Sequence, residues 1–380
     1  MTENIELLHS KNTGVLEIKG LLPVDNRKEL GEAYTPGVAE ISKLITKNPD
    51  LKKKYTVSGK LVAVITDGTA VLGLGNVGPE AGLPVVEGKA LLYKQLAGVT
   101  ALPLCLTQVK PQEIVTTIKN ISKSFSGIHL EDIAAPRCFE IEEQLKSELN
   151  IPVYHDDQEG TAIVVLAGLL NSAKVVNKPL EDLKILINGI GAAGVATAKL
   201  LFECGVKKLT LVDKYGLIDP DDSRYNSYQR SLAKKVGQSG KDLKLNEVIT
   251  DQDVFIGLSD ANVLTTTDVQ KMAKNPIVFA LANPVPEILP ELAIKGGAKV
   301  VATGSSQYPN QINNILVFPG LFRGLLQSGL NNVDTKLEKV VAQSLADLVP
   351  NPTANDIIPG VFDLDVATKV SNAVENYKKD

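Results

Sequence analysis

The segment "VYHDDQEGTA" (residues 153–162) places two carboxylates, Asp156 and Asp157, between a short apolar run and a stretch with helical character. Adjacent like charges repel, and the end of a buried strand is a costly place for them unless something positive compensates. From these residues alone two interpretations stay open. One aspartate caps a helix that begins near Gly160 in a solvated turn, or the pair meets a cation.

Any metal site in this chain must depend mainly on oxygen ligands. Only three histidines occur (His9, His129 and His155), and the three cysteines are far apart and form no CxxC pair. Imidazole-rich and thiolate sites are therefore not expected, whereas carboxylates suit Mg²⁺ or Mn²⁺.

The glycine pattern GxGxxG occurs twice, at residues 73–78 and 189–194. In the first copy, "GLGNVGPEAGLP", Pro79, Gly82 and Pro84 are expected to prevent the helix that must receive a pyrophosphate at its N-terminus. The first copy is therefore rejected as a dinucleotide site.

The second copy stands in the right context, between the apolar run "KILIN" and the helical "AAGVATAKLLFECG". Its glycines permit a tight turn, close approach of the backbone to phosphates, and close helix packing. A carboxylate that ends the next strand about 20 residues on favours NAD over NADP, although Lys214 beside it weakens that preference. The residues expected to bind the cofactor are Gly189, Gly191, Ala192, Ala193, Gly194 and Asp213.

Lys89 follows a glycine in "GLPVVEGKA", which is similar to a triphosphate-binding loop. The spacing is one residue too long, and Ala90 stands where a serine or threonine must bind Mg²⁺. Lys89 therefore has no role in such a loop, and a snorkelling surface lysine remains an open interpretation.

Composition describes an ordered protein of two domains. The 380 residues are 44% hydrophobic and 22% charged, with 40 Lys plus Arg against 44 Asp plus Glu. No basic block indicates nucleic acid, no apolar run reaches membrane-spanning length, and the first residues, "MTENIELLHSKNTG", carry no secretion signal. We expect a cytoplasmic protein with neither a nucleic-acid nor a membrane partner.

The order of apolar segments predicts an α/β fold with two domains. An α/β N-terminal catalytic domain spans 1–155 and is completed by helices in 315–380; within it "LVAVITDGTAVLGLG" reads as two strands joined at Asp67-Gly68, and a helix starts at Pro111. Residues 156–314 alternate strand and helix, which indicates a Rossmann-like, doubly wound parallel sheet that binds NAD.

Six ordered blocks resemble those of malic enzymes, in particular the short bacterial NAD(P)-dependent form. They are "AYTPGVAEI", "ITDGTAVLGLGNVGPEAGLPVVEGKALLYKQLAGV", "LEDIAAPRCFEIE", "YHDDQEGTAIVVLAGLLN", "NGIGAAG" and "PNQINNILVFPGLFRG", from about residue 22 to 365. The resemblance implies oxidative decarboxylation of L-malate to pyruvate and CO₂ with NAD, NADP remaining open, and with Mg²⁺ or Mn²⁺. It also implies a homo-oligomer, with a dimer favoured.

The resemblance assigns three metal ligands, Glu131 and Asp132 of "LEDI" and Asp157 of "HDDQ". A hard divalent cation needs several anionic oxygens, and these would leave positions for water and substrate. Asp156 would lie beside the ion without being its main ligand, and would orient Lys89 or the ion. This assignment displaces the capping interpretation of the aspartate pair.

The same resemblance makes Lys89 the general base and Tyr34 of "YTPG" the general acid. A lysine beside the cation would accept the malate hydroxyl proton as hydride leaves for the nicotinamide. After CO₂ is lost, the tyrosine would protonate C3 of the enolate.

Three asparagines match family positions that bind substrate or the nicotinamide ribose: Asn283, Asn313 and Asn314. One departure concerns the malate carboxylate, because Ala70 stands where long malic enzymes carry an arginine. The carboxylate must then be bound elsewhere, by the "GLGNVG" backbone amides or by Asn76.

Two rival functions remain open. A malolactic enzyme resembles the same blocks and uses NAD and Mn²⁺, but it yields lactate without net NADH release. A catalytically silent NAD-sensing protein would not need to retain every carboxylate together with Lys89 and Tyr34.

Overall fold

The first part of the chain forms a four-stranded parallel sheet. The structure is a computed structural model that describes residues 4–240, 243–363 and 365–377. Its first elements are α1 (Ile5–Ser10), α2 (Arg27–Ala33), α3 (Gly37–Lys47), α4 (Lys52–Tyr55), β1 (Leu61–Thr66), α5 (Pro79–Ala97), β2 (Thr100–Cys105), α6 (Pro111–Ile121), β3 (Gly127–Leu130), α7 (Arg137–Glu148) and β4 (Val153–His155). The strand order is β2-β1-β3-β4, all parallel. β1 and β3 are almost entirely buried, as their continuous apolar sequences require.

The second part forms a six-stranded sheet of order β10-β9-β8-β5-β6-β7, parallel except for β7. From β5 the chain adds strands first on one side and, beginning with β8, on the other side of the sheet. This reversal between β5 and β8 creates the crevice where such sheets bind ligands. Its elements are α8 (Thr161–Val176), β5 (Ile185–Asn188), α9 (Ala192–Glu203), β6 (Leu209–Asp213), β7 (Gly216–Leu217), α10 (Ser227–Lys235), α11 (Leu245–Val248), β8 (Val254–Gly257), α12 (Thr266–Lys271), β9 (Ile277–Ala280), α13 (Pro290–Lys295) and β10 (Val300–Thr303). The α/β class with a doubly wound parallel sheet is confirmed.

Three helices follow the second sheet: α14 (Phe318–Ser328), α15 (Thr335–Ala346) and α16 (Val366–Glu375). α14 packs against α5 and α16, which returns the chain to the first part, whereas α15 packs against α8. The boundaries at 155/156 and 314/315 stay a prediction. Residues 1–3, 241–242, 364 and 378–380 of the predicted spans lie outside the described residues.

Two expectations for the segment after β1 are wrong. Residues 72–74 form a short 3₁₀ turn rather than a second strand, and α5 begins at Pro79 despite its prolines. Proline suits the first turn of a helix, where its missing N–H needs no partner. Pro84 is only the sixth residue, so one carbonyl, that of Glu80, loses its helical partner.

The helical stretch Asp156–Val176 is long and apolar enough to span a membrane by length and composition, with a mean hydropathy of 1.4 over its most apolar part. That part is 72% buried inside the structure. A core helix of a folded domain meets the same criterion.

Candidate active site

The acidic residues meet because β3 and β4 are parallel neighbours, with Leu130 paired to His155. Parallel strands end at the same edge of a sheet, so the residues that follow each strand emerge side by side. Carboxylate oxygens of Glu131, Asp132 and Asp157 lie within 4.8 Å of one another. The Asp132 backbone N–H also donates to Asp157 Oδ2 at 2.8 Å. The structure thus brings together the three residues predicted as metal ligands.

The electrostatics of this cluster fit a divalent cation. Burial raises the pKa of Glu131 to about 7, with the Asp156 charge adding to the effect against the opposing charge of Lys89. Burial and the Glu131 charge raise the pKa of Asp157 to about 6. In both residues burial and a neighbouring carboxylate outweigh the nearby positive charge, and three close oxygen donors match the preference of Mg²⁺ or Mn²⁺.

Lys89 extends from α5 into the same cluster and is not a snorkelling surface residue. Its ammonium pairs with Asp156, lies 3.3 Å from Glu131 Oε1 and donates to Asn314 Oδ1 at 3.3 Å. It also lies 4.7 Å from the centre of the Phe318 ring. Burial disfavours the ammonium, but Asp156 and Glu131 outweigh that effect and raise the pKa of Lys89.

Asp156 does not cap a helix, because the helical chain already begins there. A π-turn spans Asp156–Gly160 and leads directly into α8, with no side-chain cap. The carboxylate is fully buried and accepts a hydrogen bond from the Tyr154 hydroxyl at 2.7 Å, besides its pair with Lys89. Although burial disfavours its charge, Lys89 holds the pKa of Asp156 below its usual value.

Sequence reasoning missed two residues behind Glu131. His129 is fully buried, and burial lowers its pKa to about 4, so the ring is neutral. Its Nε2 lies 2.7 Å from Glu131 Oε2, and its Nδ1 lies 2.8 Å from the Tyr93 hydroxyl. Tyr93 therefore donates to Nδ1, and Nε2–H donates to the carboxylate. The spacing of His129 and Glu131 could have indicated this contact, because residues two apart in an extended chain lie on the same face.

Tyr34 lies outside this cluster in the described part of the chain. It follows α2 and its side chain is 65% exposed. It is not among the residues that line the central cavity. One chain therefore does not bring the predicted acid to the predicted base.

A cavity of about 860 Å³ separates the two sheets. Lys89, Glu131 and Asp157 line one side, and Ala193 and Asn283 line the other. Asn313 and Asn314 also line the cavity. The acidic cluster thus opens into a space large enough for a dinucleotide end and a small substrate.

Asn76 lies apart from the cavity lining, where its amide pairs with that of Gln108 at 2.7 Å. The neighbouring glycines Gly73 and Gly75 do line the cavity. Of the two predicted carboxylate anchors, the backbone of this loop is therefore the better placed, and both stay predictions.

The second glycine motif forms the turn between β5 and α9. Gly189 has φ 100°, and a Cβ there or at Gly194 would collide with backbone. Gly191 and Ala192 place the N-terminus of α9 beside the crevice. Asp213 ends the adjacent strand β6, and its carboxylate accepts the Tyr215 N–H at 2.8 Å.

The chain matches two family profiles. "Malic enzyme, N-terminal domain" matches residues 15–111, and "Malic enzyme, NAD binding domain" matches residues 158–378. The first glycine motif falls in the former match and the second in the latter.

Relatives and solved structures that are also named malic enzymes match almost all of the chain. It is 48% identical to an NAD-dependent malic enzyme of Geobacillus stearothermophilus, over 95% of this chain and 76% of the relative. It is 49% identical to a bifunctional malic/malolactic enzyme of Bacillus subtilis, over 97% and 90%. The crystal structure of an NAD-dependent malic enzyme from Thermotoga maritima superposes with a TM-score of 0.94 at 40% identity, covering 98% of this chain and 99% of that one.

Proposed function

Because the chain belongs to the malic enzyme family and oxidatively decarboxylates L-malate to pyruvate and CO₂ with NAD(P)⁺, we propose that it does so with Mg²⁺ or Mn²⁺ held by Glu131, Asp132 and Asp157. The observation that supports the metal site is the cluster of three carboxylates within 4.8 Å at the edge of the cavity. When bound, the ion offsets their charge and polarises the C2 oxygen of malate.

Lys89, as the neutral amine, accepts the C2 hydroxyl proton while the C2 hydride passes to the nicotinamide. A cation held by Glu131 and Asp157 would offset two of the charges that raise the pKa of Lys89. Asp156 and Asn314 support this role because both bond the Lys89 ammonium and aim it at the cavity. Asn283 and Asn313 orient the substrate and the nicotinamide ribose from the other walls. Oxaloacetate then loses CO₂, and the Tyr34 hydroxyl delivers a proton to C3.

We propose that the active assembly is a homodimer in which Tyr34 reaches the cavity of the second copy. The support is that α1–α4 have no fully buried residue and present many exposed apolar side chains. The most exposed apolar side chains of this segment belong to Ile5, Leu7, Ile18, Leu21, Leu22 and Tyr34.

NAD is proposed as the preferred cofactor because the Asp213 carboxylate would repel a 2′-phosphate. We further propose a cytoplasmic location, with neither a membrane nor a nucleic-acid partner, on the basis of the even charge balance.

An assay of L-malate, NAD⁺ and Mn²⁺ that follows both NADH and the organic product tests the function. We expect NADH and pyruvate in equal amounts. Lactate without NADH would favour malolactic activity, which the name of the B. subtilis relative makes the second candidate.

Chelation tests the metal site in the same assay. EDTA should abolish turnover, and Mg²⁺ or Mn²⁺ but not Ca²⁺ should restore it, because a small hard cation fits a site that must polarise oxygen. Undiminished turnover in excess chelator would contradict the metal assignment.

A further inference from the structure

Glu287 is a fully buried carboxylate outside the acidic cluster. It follows β9 in sequence and lies between the loops that leave β8 and β9. Its Oε1 accepts the Ser259 N–H at 3.0 Å, and its Oε2 accepts the Ala282 N–H at 3.0 Å. One side chain therefore joins the backbones of two loops.

The Glu287 carboxylate occupies the space that a side chain at position 257 would need. A Cβ at Gly257, the last residue of β8, would collide with the Glu287 carboxyl group. Within the described ranges no lysine, arginine or histidine forms an ion pair with Glu287. An unpaired buried charge is expensive, and two backbone N–H groups supply the main compensation.

Both loops form the cavity wall that faces the acidic cluster. Ser259, Ala282 and Asn283 line the cavity. The Ser259 hydroxyl accepts the Asn188 amide at 2.7 Å, which links the first loop to the strand before the glycine turn. Asn283 directly follows Ala282. Glu287 thus connects the turn proposed for the pyrophosphate to the asparagine proposed for the nicotinamide side.

We propose that Glu287 is a positioning residue for the cofactor, because its carboxylate holds the loops after β8 and β9 at the spacing that NAD⁺ binding requires. This inference rests on the proposed cofactor site. Glu287 does not contact the reacting atoms; it acts through Ser259 and Ala282.

The test compares Glu287→Gln with Glu291→Gln, an exposed glutamate on α13. The glutamine amide keeps one acceptor but turns an N–H₂ group toward a backbone N–H. We expect the Kd of NAD⁺ and the KM for NAD⁺ to rise about tenfold, as for a lost hydrogen bond to a charged group, while the KM for malate changes less than about twofold. NAD⁺ affinity within twofold of both the wild type and Glu291→Gln would overturn the proposal.

Amide hydrogen exchange in the wild-type protein provides a second measurement, which does not depend on folding of the variant. The Ser259 and Ala282 amides should be protected without cofactor and exchange more slowly as NAD⁺ saturates the protein. Unprotected exchange at either amide would also overturn the proposal. If the wild type shows no saturable NAD⁺ binding, the proposed cofactor site is wrong. If the wild type binds NAD⁺ normally and Glu287→Gln binds it equally well, only the positioning role of Glu287 is wrong.

Discussion

Lys89 and Tyr34, the two residues assigned to proton transfer, have opposite surroundings. Lys89 is surrounded by Asp156, Glu131 and Asn314, whereas Tyr34 is 65% exposed. Two carboxylates balance the charge of Lys89 and one amide oxygen accepts its hydrogen bond, so Lys89 is sensitive to the loss of any of the three. Within one chain the exposed Tyr34 does not line the cavity, so its proposed role requires a second copy.

Separate partial reactions should distinguish the two roles. Tyr34→Phe should still reduce oxaloacetate with NADH but lose malate decarboxylation by roughly 10²-fold, the typical contribution of a general acid. Lys89→Ala should lose both reactions, because the C2 oxygen then has no acceptor for its proton in malate oxidation and no donor in oxaloacetate reduction. Lys94→Ala, on the exposed side of the same helix, and Tyr55→Phe serve as controls. Equal small losses in the two test variants would mean that neither residue moves a proton.

Asp213→Ala should weaken NAD⁺ binding about tenfold and leave Mn²⁺ affinity unchanged, because the carboxylate ends β6, away from the acidic cluster. Titration of both cofactors and of Mn²⁺ measures the effect, with exposed Asp182→Ala as the control. Unchanged NAD⁺ affinity in a protein that prefers NADP⁺ would contradict the proposed preference.

At the scale of elements, the π-turn at Asp156–Gly160 determines where Asp156 and Asp157 point. The extra residue in its hydrogen-bonded ring shifts the chain between β4 and α8, so one aspartate bonds Lys89 while the next joins Glu131 and Asp132.

Gly160 leaves no space for a side chain, since a Cβ would overlap the Asp156 carboxylate and the Tyr154 hydroxyl. Gly160→Ala should therefore lower kcat by at least tenfold through displacement of Asp156. Gly88→Ala is the matched control because it is helical, adjacent to Lys89 and open around the added Cβ. It should be neutral or stabilise by up to about 1 kcal/mol. Full activity in Gly160→Ala would contradict the role of the turn.

α15 carries a pH-dependent contribution to stability. Burial and the charges of Glu142 and Asp334 raise the pKa of Glu338 to about 7, despite Lys146 nearby. A raised carboxyl pKa stabilises the folded state below the unfolded pKa of about 4.5, and this stabilisation is lost as the pH rises through about 7. Relative to the wild type, Glu338→Gln should gain about 1–2 kcal/mol in free energy of unfolding between pH 5 and pH 8.5.

Denaturant unfolding at several pH values measures this gain, and Glu291→Gln on the exposed side of α13 is the control. A difference between Glu338→Gln and the wild type that stays constant with pH would contradict the assignment.

At the scale of the whole molecule, the acidic cluster and Ala193, at the start of the helix after the glycine turn, line one cavity between the two sheets. The N-terminal helices α1–α4 lie outside both sheets and expose apolar surface, as expected of a segment that packs on a second copy.

Mixed dimers test the proposed exchange of Tyr34. A heterodimer of one Tyr34→Phe subunit and one Lys89→Ala subunit contains one intact site if the two residues meet across the interface. It should recover about half of the wild-type turnover, whereas each variant homodimer stays near zero. Differently tagged subunits allow the heterodimer to be purified. A heterodimer as inactive as its parents would place both residues in the same subunit.

The sequence alone determined those elements whose pattern of apolar residues depends on neighbouring positions in the chain. β5, α9 and β6 around "NGIGAAG" lie where the pattern predicted, since a strand, a glycine turn and a helix depend on neighbouring residues only. The expected second strand after Asp67 was wrong because packing, not local propensity, decides short segments. The helix at Pro79 was wrongly rejected because proline fits the first turn of a helix.

Only the tertiary structure decided which side chains meet. Glu131 and Asp157 are 26 positions apart, and they converge because β3 and β4 pair in parallel. Lys89 and Asn314 join them from α5 and from the segment before α14, over separations that no local pattern records. His129 and Tyr93 went unrecognised because a hydrogen bond behind a carboxylate depends on side-chain packing. The resemblance to the family assigned roles to the site residues. Their distances, burial and electrostatic surroundings follow from how the two sheets pack around one cavity.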